Sequence, residues 1–351
     1  MELLSLPVRW PIICAPMAGG PSTPALCAAV SNAGGLGFLA AGYKSAQSVV
    51  DEVTAVRTLT GAPFGVNVFV PGQPAVDDGA VNDYLATLKD EADRFGVPLA
   101  ARWDDDAWSD KLEALGGLGV PMVSFTFGCP SAAVVKRLHR AGSVVVVSVT
   151  TPEEAVLARS AGADALGAQG IEAGGHQATF SDDVPLKSGL RLSQLLPALK
   201  RQVDLPVIAA GGLMGGADVA RVIASGAAAA QLGTAFLRTP ESGANDIYKS
   251  ALADPAYDGT TITRAFSGRR ARGLVNRFIQ AHPDAPASTY PEVNNATRAL
   301  RAEAARRGDP QSINLWAGEG YTFAADQPAA QIVARIGAEY EAAASARSRR
   351  G

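Results

Sequence analysis

The stretch Ala165-Leu166-Gly167-Ala168-Gln169-Gly170-Ile171-Glu172-Ala173-Gly174-Gly175-His176 opens as a short apolar run and closes on two glycines and a histidine. A run this short, without polar alternation, predicts a strand buried on both faces that hands over to a loop. Gly174 and Gly175 carry no Cβ, so backbone N–H groups there can approach a ligand closely. His176 is the side chain of this loop able to exchange a proton near neutral pH. A tight turn followed by a surface or core histidine would read the same way, so the loop by itself leaves function open.

Seven further runs of the same kind surround it: Ile12–Ala15, Leu36–Ala40, Phe64–Phe69, Met122–Phe125, Val144–Val149, Val207–Ala210 and Ala229–Leu232. Helical patterns lie between most of them, at Thr23–Ala33, Ser45–Thr58, Ser131–Ala141, Pro152–Ala161, Ser193–Gln202 and Gly216–Ser225. Eight alternating βα units predict an α/β fold, a (β/α)8 TIM barrel. Ala141-Gly142, Ala161-Gly162 and Ser225-Gly226 each close a helical pattern with the usual glycine stop. Residues 71–119 exceed one crossover and are rich in Asp, Pro and Gly, which predicts an insertion after the third strand, over the barrel mouth. After Thr234 the rhythm fades, so the barrel is expected over 1–234 and a C-terminal helical and loop extension over 235–351, packing on the barrel and covering the active site. Ile332–Ala344 reads as a closing helix and Ser345–Gly351 as a frayed tail.

The seventh and eighth runs end in Gly211-Gly212 and in Gln231-Leu232-Gly233-Thr234. In such barrels the loops after these strands form the usual phosphate site from free backbone N–H groups, with no charged side chain needed. The glycines at Gly34, Gly35 and Gly37 resemble a dinucleotide fingerprint but precede a strand, the wrong place for one. Asn67 puts an amide inside an apolar run and must find a partner, either a planar polar ligand or a neighbouring strand. Trp103-Asp104-Asp105-Asp106 reads as an acidic helix start rather than a metal site, because consecutive carboxylates do not converge on one ion. Phe125 and Phe127 could wall a pocket or fill the core. Cys129 has no base in its own segment and is not read as a nucleophile. The basic run Arg264–Gly273 reads equally as an anion contact or a solvated loop.

Composition narrows the function classes. The 351 residues hold 31 Lys and Arg against 34 Asp and Glu, a formal charge of −3. No basic field points to nucleic acid or to an anionic membrane, and a small-molecule partner is the default. Three cysteines without paired spacing argue against disulfides and structural zinc. With no long apolar span or leader pattern, a cytoplasmic protein is expected, and a homo-oligomer is compatible with the sequence.

The ordered motifs Ala15-Pro16-Met17-Ala18-Gly19-Gly20, Phe64-Gly65-Val66-Asn67, Ser124–Gly128, Glu172–His176, Ala209–Gly212, Gln231–Thr234, Phe266–Arg269 and Leu315–Gly318 resemble the nitronate monooxygenases, formerly called 2-nitropropane dioxygenases. The likeness spans nearly the whole chain. It implies an enzyme with non-covalent FMN and no metal, oxidising alkyl nitronates such as propionate 3-nitronate with O2 to a carbonyl product and nitrite. By matching motif, Pro16, Met17 and Ala18 would lie against the flavin, while Asn67 and Gln169 would bond its polar edge. Gly174, Gly175, Gly211, Gly212, Gln231, Leu232, Gly233 and Thr234 would hold the phosphate arm. His176 matches the family's active-site histidine, implied to take the α-proton of a neutral nitroalkane and to orient a nitronate. Many members carry Arg-Gly after that histidine, where this chain has Gln177-Ala178. The alternative reading is an FMN-dependent NAD(P)H reductase, of quinone or enoyl-acyl-carrier-protein type, because such enzymes share the Ala-Gly-Gly-His loop. A non-catalytic binding barrel, or a barrel acting on a phosphorylated metabolite without flavin, stands behind both.

Overall fold

Runs of β-branched and small residues, among them Val144–Val149 with its five valines, cannot alternate polar and apolar faces and so form strands covered on both sides. The computed structural model describes residues 2–75 and 78–348. Its barrel strands are β1 (Ile12–Cys14), β2 (Gly37–Ala40), β3 (Phe64–Phe69), β4 (Met122–Thr126), β5 (Val144–Val149), β6 (Ala165–Gln169), β7 (Val207–Ala210) and β8 (Ala229–Leu232). Neighbours pair in parallel from β2 round to β8, β8 pairs with β1, and an Ile13–Leu36 bridge joins β1 to the start of β2. This is the expected (β/α)8 barrel.

The wall helices are α1 (Pro24–Asn32), α2 (Ala46–Leu59), α3 (Trp108–Leu118), α4 (Ala132–Arg140), α5 (Pro152–Ala161), α6 (Leu192–Gln202), α7 (Gly216–Ala224) and α8 (Ala329–Ser348). Thr23, Ser45, Ser131 and Thr151 cap four of them by accepting an N–H of the first turn. Such a cap stabilises by about 1 kcal/mol. Glycine in the left-handed conformation ends α5, at Gly162.

Two expectations change. The stretch 71–119 is not all insertion, because α3 lies within it and packs Leu112 and Leu115 into the core with Val53, Val123 and Leu138. Its Gly116-Gly117 pair had hidden the helical period. The remaining insertion forms helices Asp78–Thr87 and Lys89–Phe95, while Val76 and Asp77 fall outside the described residues. The acidic run does not begin a helix as read. Asp104 and Asp105 accept N–H groups of Asp106 and Ala107, Asp106 pairs with buried Lys111 at 2.7 Å, and α3 starts only at Trp108.

The segment after β8 divides. Residues 235–328 carry the strands β9 (Thr260–Thr263) and β10 (Ala271–Leu274) and the helices Asp246–Ala251, Arg277–Ala281 and Glu292–Arg306. With the insertion they share a second apolar core, containing Tyr84, Phe95, Phe266, Phe278, Val293, Leu300 and Leu315. Helix α8 then returns to the wall, where it packs against α7 and α1. Ile332, Val333 and Ile336 enter the barrel-side core with Trp10 and Val219, and Gly216 is so close to α8 that a Cβ would not fit. The helix runs on to Ser348, through part of the tail read as frayed; residues 349–351 fall outside the described residues. Among the described residues no helix is long and apolar enough to cross a membrane.

Candidate active site

Because all eight strands run parallel, their C-terminal ends meet at one rim. Register sets Gln169, Ala210 and Gln231 side by side there. A cavity of about 590 Å³ opens at this rim, within the range usual for small-molecule sites. Residues of the 235–328 segment, including Tyr248, Arg301 and Trp316, line its other side.

Pro16, Met17 and Ala18 line the cavity, as do Asn67 and Gln169. So do the glycines Gly174, Gly175, Gly211, Gly212 and Gly233, with Gln231 and Thr234. Leu232 does not: its side chain, between two cavity residues on a strand, points the other way into the core. Backbone conformation explains the glycine pair, since φ is +132° at Gly211 and +65° at Gly212, values other residues rarely adopt. At Gly174 a Cβ would meet the Gly318 nitrogen at 2.5 Å. The N–H groups of Gly174, Gly211, Gly212, Gly233 and Thr234 have no acceptor among the described residues. Five such donors on one wall suit an anion such as a phosphate. The nearby carboxylate of Glu172 is turned away to the Leu192 N–H and to Arg191.

Asn67 is buried, and its amide donates to Ser124 Oγ at 2.8 Å and Thr126 Oγ1 at 3.0 Å on β4. The neighbouring strand thus satisfies its NH2, and the carbonyl oxygen has no donor among the described residues. The Gln169 oxygen accepts from Ala178 N at 2.7 Å, and its nitrogen donates to the His176 carbonyl at 3.0 Å. This amide chiefly holds the histidine loop, which leaves one N–H for a ligand edge.

The loop is fixed from two other directions. His176 and Gly175 pair antiparallel with Ala271 and Arg272 of β10. Glu154 on α5 accepts from Phe180 N at 2.7 Å and Thr179 Oγ1 at 3.0 Å. Three arginines of the basic run are therefore packed behind the loop and not solvated. Arg264 and Arg270 are buried on Asp182 at 2.9 and 2.8 Å, and Arg272 donates to the Ile171 carbonyl at 2.9 Å.

The half-buried His176 ring sits among Phe127, Tyr290 and Trp316, with centroids 5.8, 5.7 and 5.5 Å away. Its Nε2 lies 2.8 Å from Ser267 Oγ. The Ser267 hydroxyl also lies 3.1 Å from the Arg269 carbonyl; with its proton placed there, Nε2 is the donor to Ser267 Oγ. Nδ1 then carries the lone pair and has no partner among the described residues. Burial first, and then the charges of Arg269 and Arg301, push this imidazole down to about 3. It is an uncharged imidazole in the wall of a cavity.

The nitronate monooxygenase family model matches residues 3–339. The chain belongs to the nitronate monooxygenase family. A probable nitronate monooxygenase of Staphylococcus aureus (strain MSSA476) is 38% identical over 340 residues, 94% of each chain. Among solved structures, nitroalkane oxidase from Streptomyces ansochromogenes is 49% identical, with a TM-score of 0.94 over 97% of this chain and 98% of that one. FabK from Thermotoga maritima is 27% identical, with a TM-score of 0.71 over 98% of this chain and 96% of that one.

Relative to the Arg-Gly of many nitronate monooxygenases, Gln177 places no side chain in the cavity wall; it is buried behind the loop. Ala178 keeps a negative φ, so the position needs no glycine here. Ser267, Tyr43, Arg301 and Trp316 had no assigned role from sequence, although Ser267 and Trp316 stand in motifs shared with nitronate monooxygenases. Tyr43 lies in the loop after β2, while Ser267, Arg301 and Trp316 come from the segment beyond β8, and no local pattern marks that.

Proposed function

We propose that this chain oxidises alkyl nitronates, using bound FMN and O2, to a carbonyl product and nitrite. The observation that carries the reading is the His176 ring, joined through Nε2 to Ser267, in one cavity with five unpartnered backbone N–H donors. Those donors, at Gly174, Gly211, Gly212, Gly233 and Thr234, suit the FMN phosphate, and Pro16-Met17-Ala18 with the Asn67 oxygen suits the ring. Bound FMN supplies the electron acceptor for the nitronate and the electron donor for O2.

The chain's own residues do the rest. With Nε2 bonded to Ser267, Nδ1 can take the α-proton of a neutral nitroalkane, as a weak base, because burial and the two arginines hold its conjugate acid at about 3. The family and the neighbour named nitroalkane oxidase support both substrate forms. Phe127, Tyr290 and Trp316 keep water from the ring and its charge state neutral. Gln169 and Glu154 keep the loop still while the proton moves.

The test is an anaerobic visible spectrum of the purified protein. A flavin released as FMN, and bleached by nitronate but not by NADH or NADPH, is the expected result. Bleaching by a nicotinamide alone would move the assignment to a reductase on the same barrel.

A further inference from the structure

The two sides of the cavity offer different donors. One presents only backbone N–H groups, while the other presents a guanidinium from the helix Glu292–Arg306. Arg301 donates from Nε to Thr297 Oγ1 at 3.2 Å and from Nη1 to Asn314 Oδ1 at 3.1 Å. Its Nη2 bonds the Asn294 carbonyl at 2.8 Å and Oδ1 at 2.9 Å. Every one of these acceptors is neutral, and no carboxylate lies within ion-pair distance of Arg301 among the described residues. The buried Arg264 and Arg270 behind the histidine loop, by contrast, share Asp182. Held this way, the guanidinium is rigid, with one Nη1–H left over, but its charge is uncompensated, a costly arrangement unless something in the cavity brings the negative charge.

Two groups beside it sharpen the picture. Tyr290 donates to Tyr43 Oη at 3.1 Å, so the Tyr43 proton is left without an acceptor among the described residues, and Tyr43 lines the cavity. Arg298, one turn before Arg301, lies over the Tyr43 ring at 5.6 Å and also lines the cavity.

We infer that Arg301, with Arg298 and the Tyr43 hydroxyl, forms a subsite for a planar two-oxygen anion. The anion is either the nitronate group itself or a carboxylate at the far end of the same substrate. Four of its five N–H groups are spent on the acceptors above, so Arg301 offers the cavity one Nη1–H and an unpaired charge, which suit either anion and gain little from a neutral nitroalkane. The inference rests on reading the His176 cavity as the substrate site.

Arg301→Met keeps the side-chain bulk and removes the charge, and Arg301→Lys keeps the charge and removes the planar guanidinium that Thr297, Asn314 and Asn294 hold in place. Both would be assayed in the purified holoprotein with ethyl nitronate and with propionate 3-nitronate. Loss of a buried charge-assisted contact should raise KM by about 100-fold in Arg301→Met and about tenfold in Arg301→Lys, with kcat within about threefold of wild type. A rise for both substrates assigns the subsite to the nitronate oxygens, and a rise for propionate 3-nitronate alone assigns it to the carboxylate. Unchanged KM for both substrates in Arg301→Lys, the milder variant should Arg301→Met not fold, would overturn the inference.

A second readout needs no turnover. Nitrate, a planar oxyanion, should quench the fluorescence of Trp316, measured as the part that a Trp316→Phe variant lacks, in wild type and not in Arg301→Met. Nitrate binding without nitronate turnover would keep the subsite and remove the proposed reaction. Failure of wild type to bind nitrate would remove the subsite even if turnover is seen.

Discussion

At the residue scale the chemistry turns on which nitrogen of His176 carries the proton. Ser267 decides it by hydrogen bonding alone, so Ser267→Ala should leave the fold intact. Turnover of neutral nitroethane should fall by about 10–100-fold, with much less effect on preformed ethyl nitronate. Equal losses on the two substrates, measured by nitrite release, would show that the serine does not act through the base. His176→Asn should keep its flavin and lose most turnover on the neutral substrate, by the same comparison. The pH behaviour follows from burial and from Arg269 and Arg301, which hold His176 down to about 3. Its ordinary value is about 6.5, so between these values the unfolded chain binds a proton that the folded chain refuses. The histidine therefore has no effect on stability above about pH 6.5 and lowers stability as pH falls from there toward about 3. Accordingly kcat/KM for nitroethane should show no acid limb near pH 6.5, and a limb there would contradict the buried neutral base. The type and position of this histidine were legible beside Gly174-Gly175. Its protonation state was not, since Ser267, Arg269 and Arg301 stand far away in the chain.

At the element scale the strands were the most legible part. Their bounds lie within a residue of the apolar runs, because a strand buried on both faces has no choice of register with solvent. Helix α3 was lost in a Gly-rich stretch, and the basic run was misread because charge patterning says nothing about a distant carboxylate. Asp182 is that carboxylate, the shared partner of two buried arginines that lock the segment behind the histidine loop. Asp182→Asn should destabilise the protein by about 3–5 kcal/mol, since it leaves two buried cations poorly paired. Denaturant unfolding would measure this, and a change under about 1 kcal/mol would mean that the arginines find other partners. On the opposite wall, Gly174→Ala places a Cβ against the Gly318 nitrogen. The displaced loop should release flavin on gel filtration while helical content stays unchanged; full retention would separate Gly174 from the cofactor site.

At the scale of the whole molecule, β8 ends at Leu232, and the chain beyond it serves two purposes. Residues 235–328 share a core with the insertion and supply Tyr248, Arg301 and Trp316 to the cavity, while α8 completes the wall between α7 and α1. Sequence pattern marked the closing helix by its apolar spacing but could not say which surface it meets. Truncation after Pro328 strips cover from Trp10, Leu213 and Val219. The shortened chain should be insoluble or expose apolar surface to a reporter dye, and a folded, monomeric product would show the wall to be complete without α8. The same arrangement orders events during synthesis. A ribosome delivers the roof of the cavity before the last stave of the wall, so the barrel cannot seal until the final stretch has left the exit tunnel. A premature stop codon shortly before Ala329 thus yields a chain with its lid made and its side open, a natural substrate for the cell's proteases rather than a weakened enzyme.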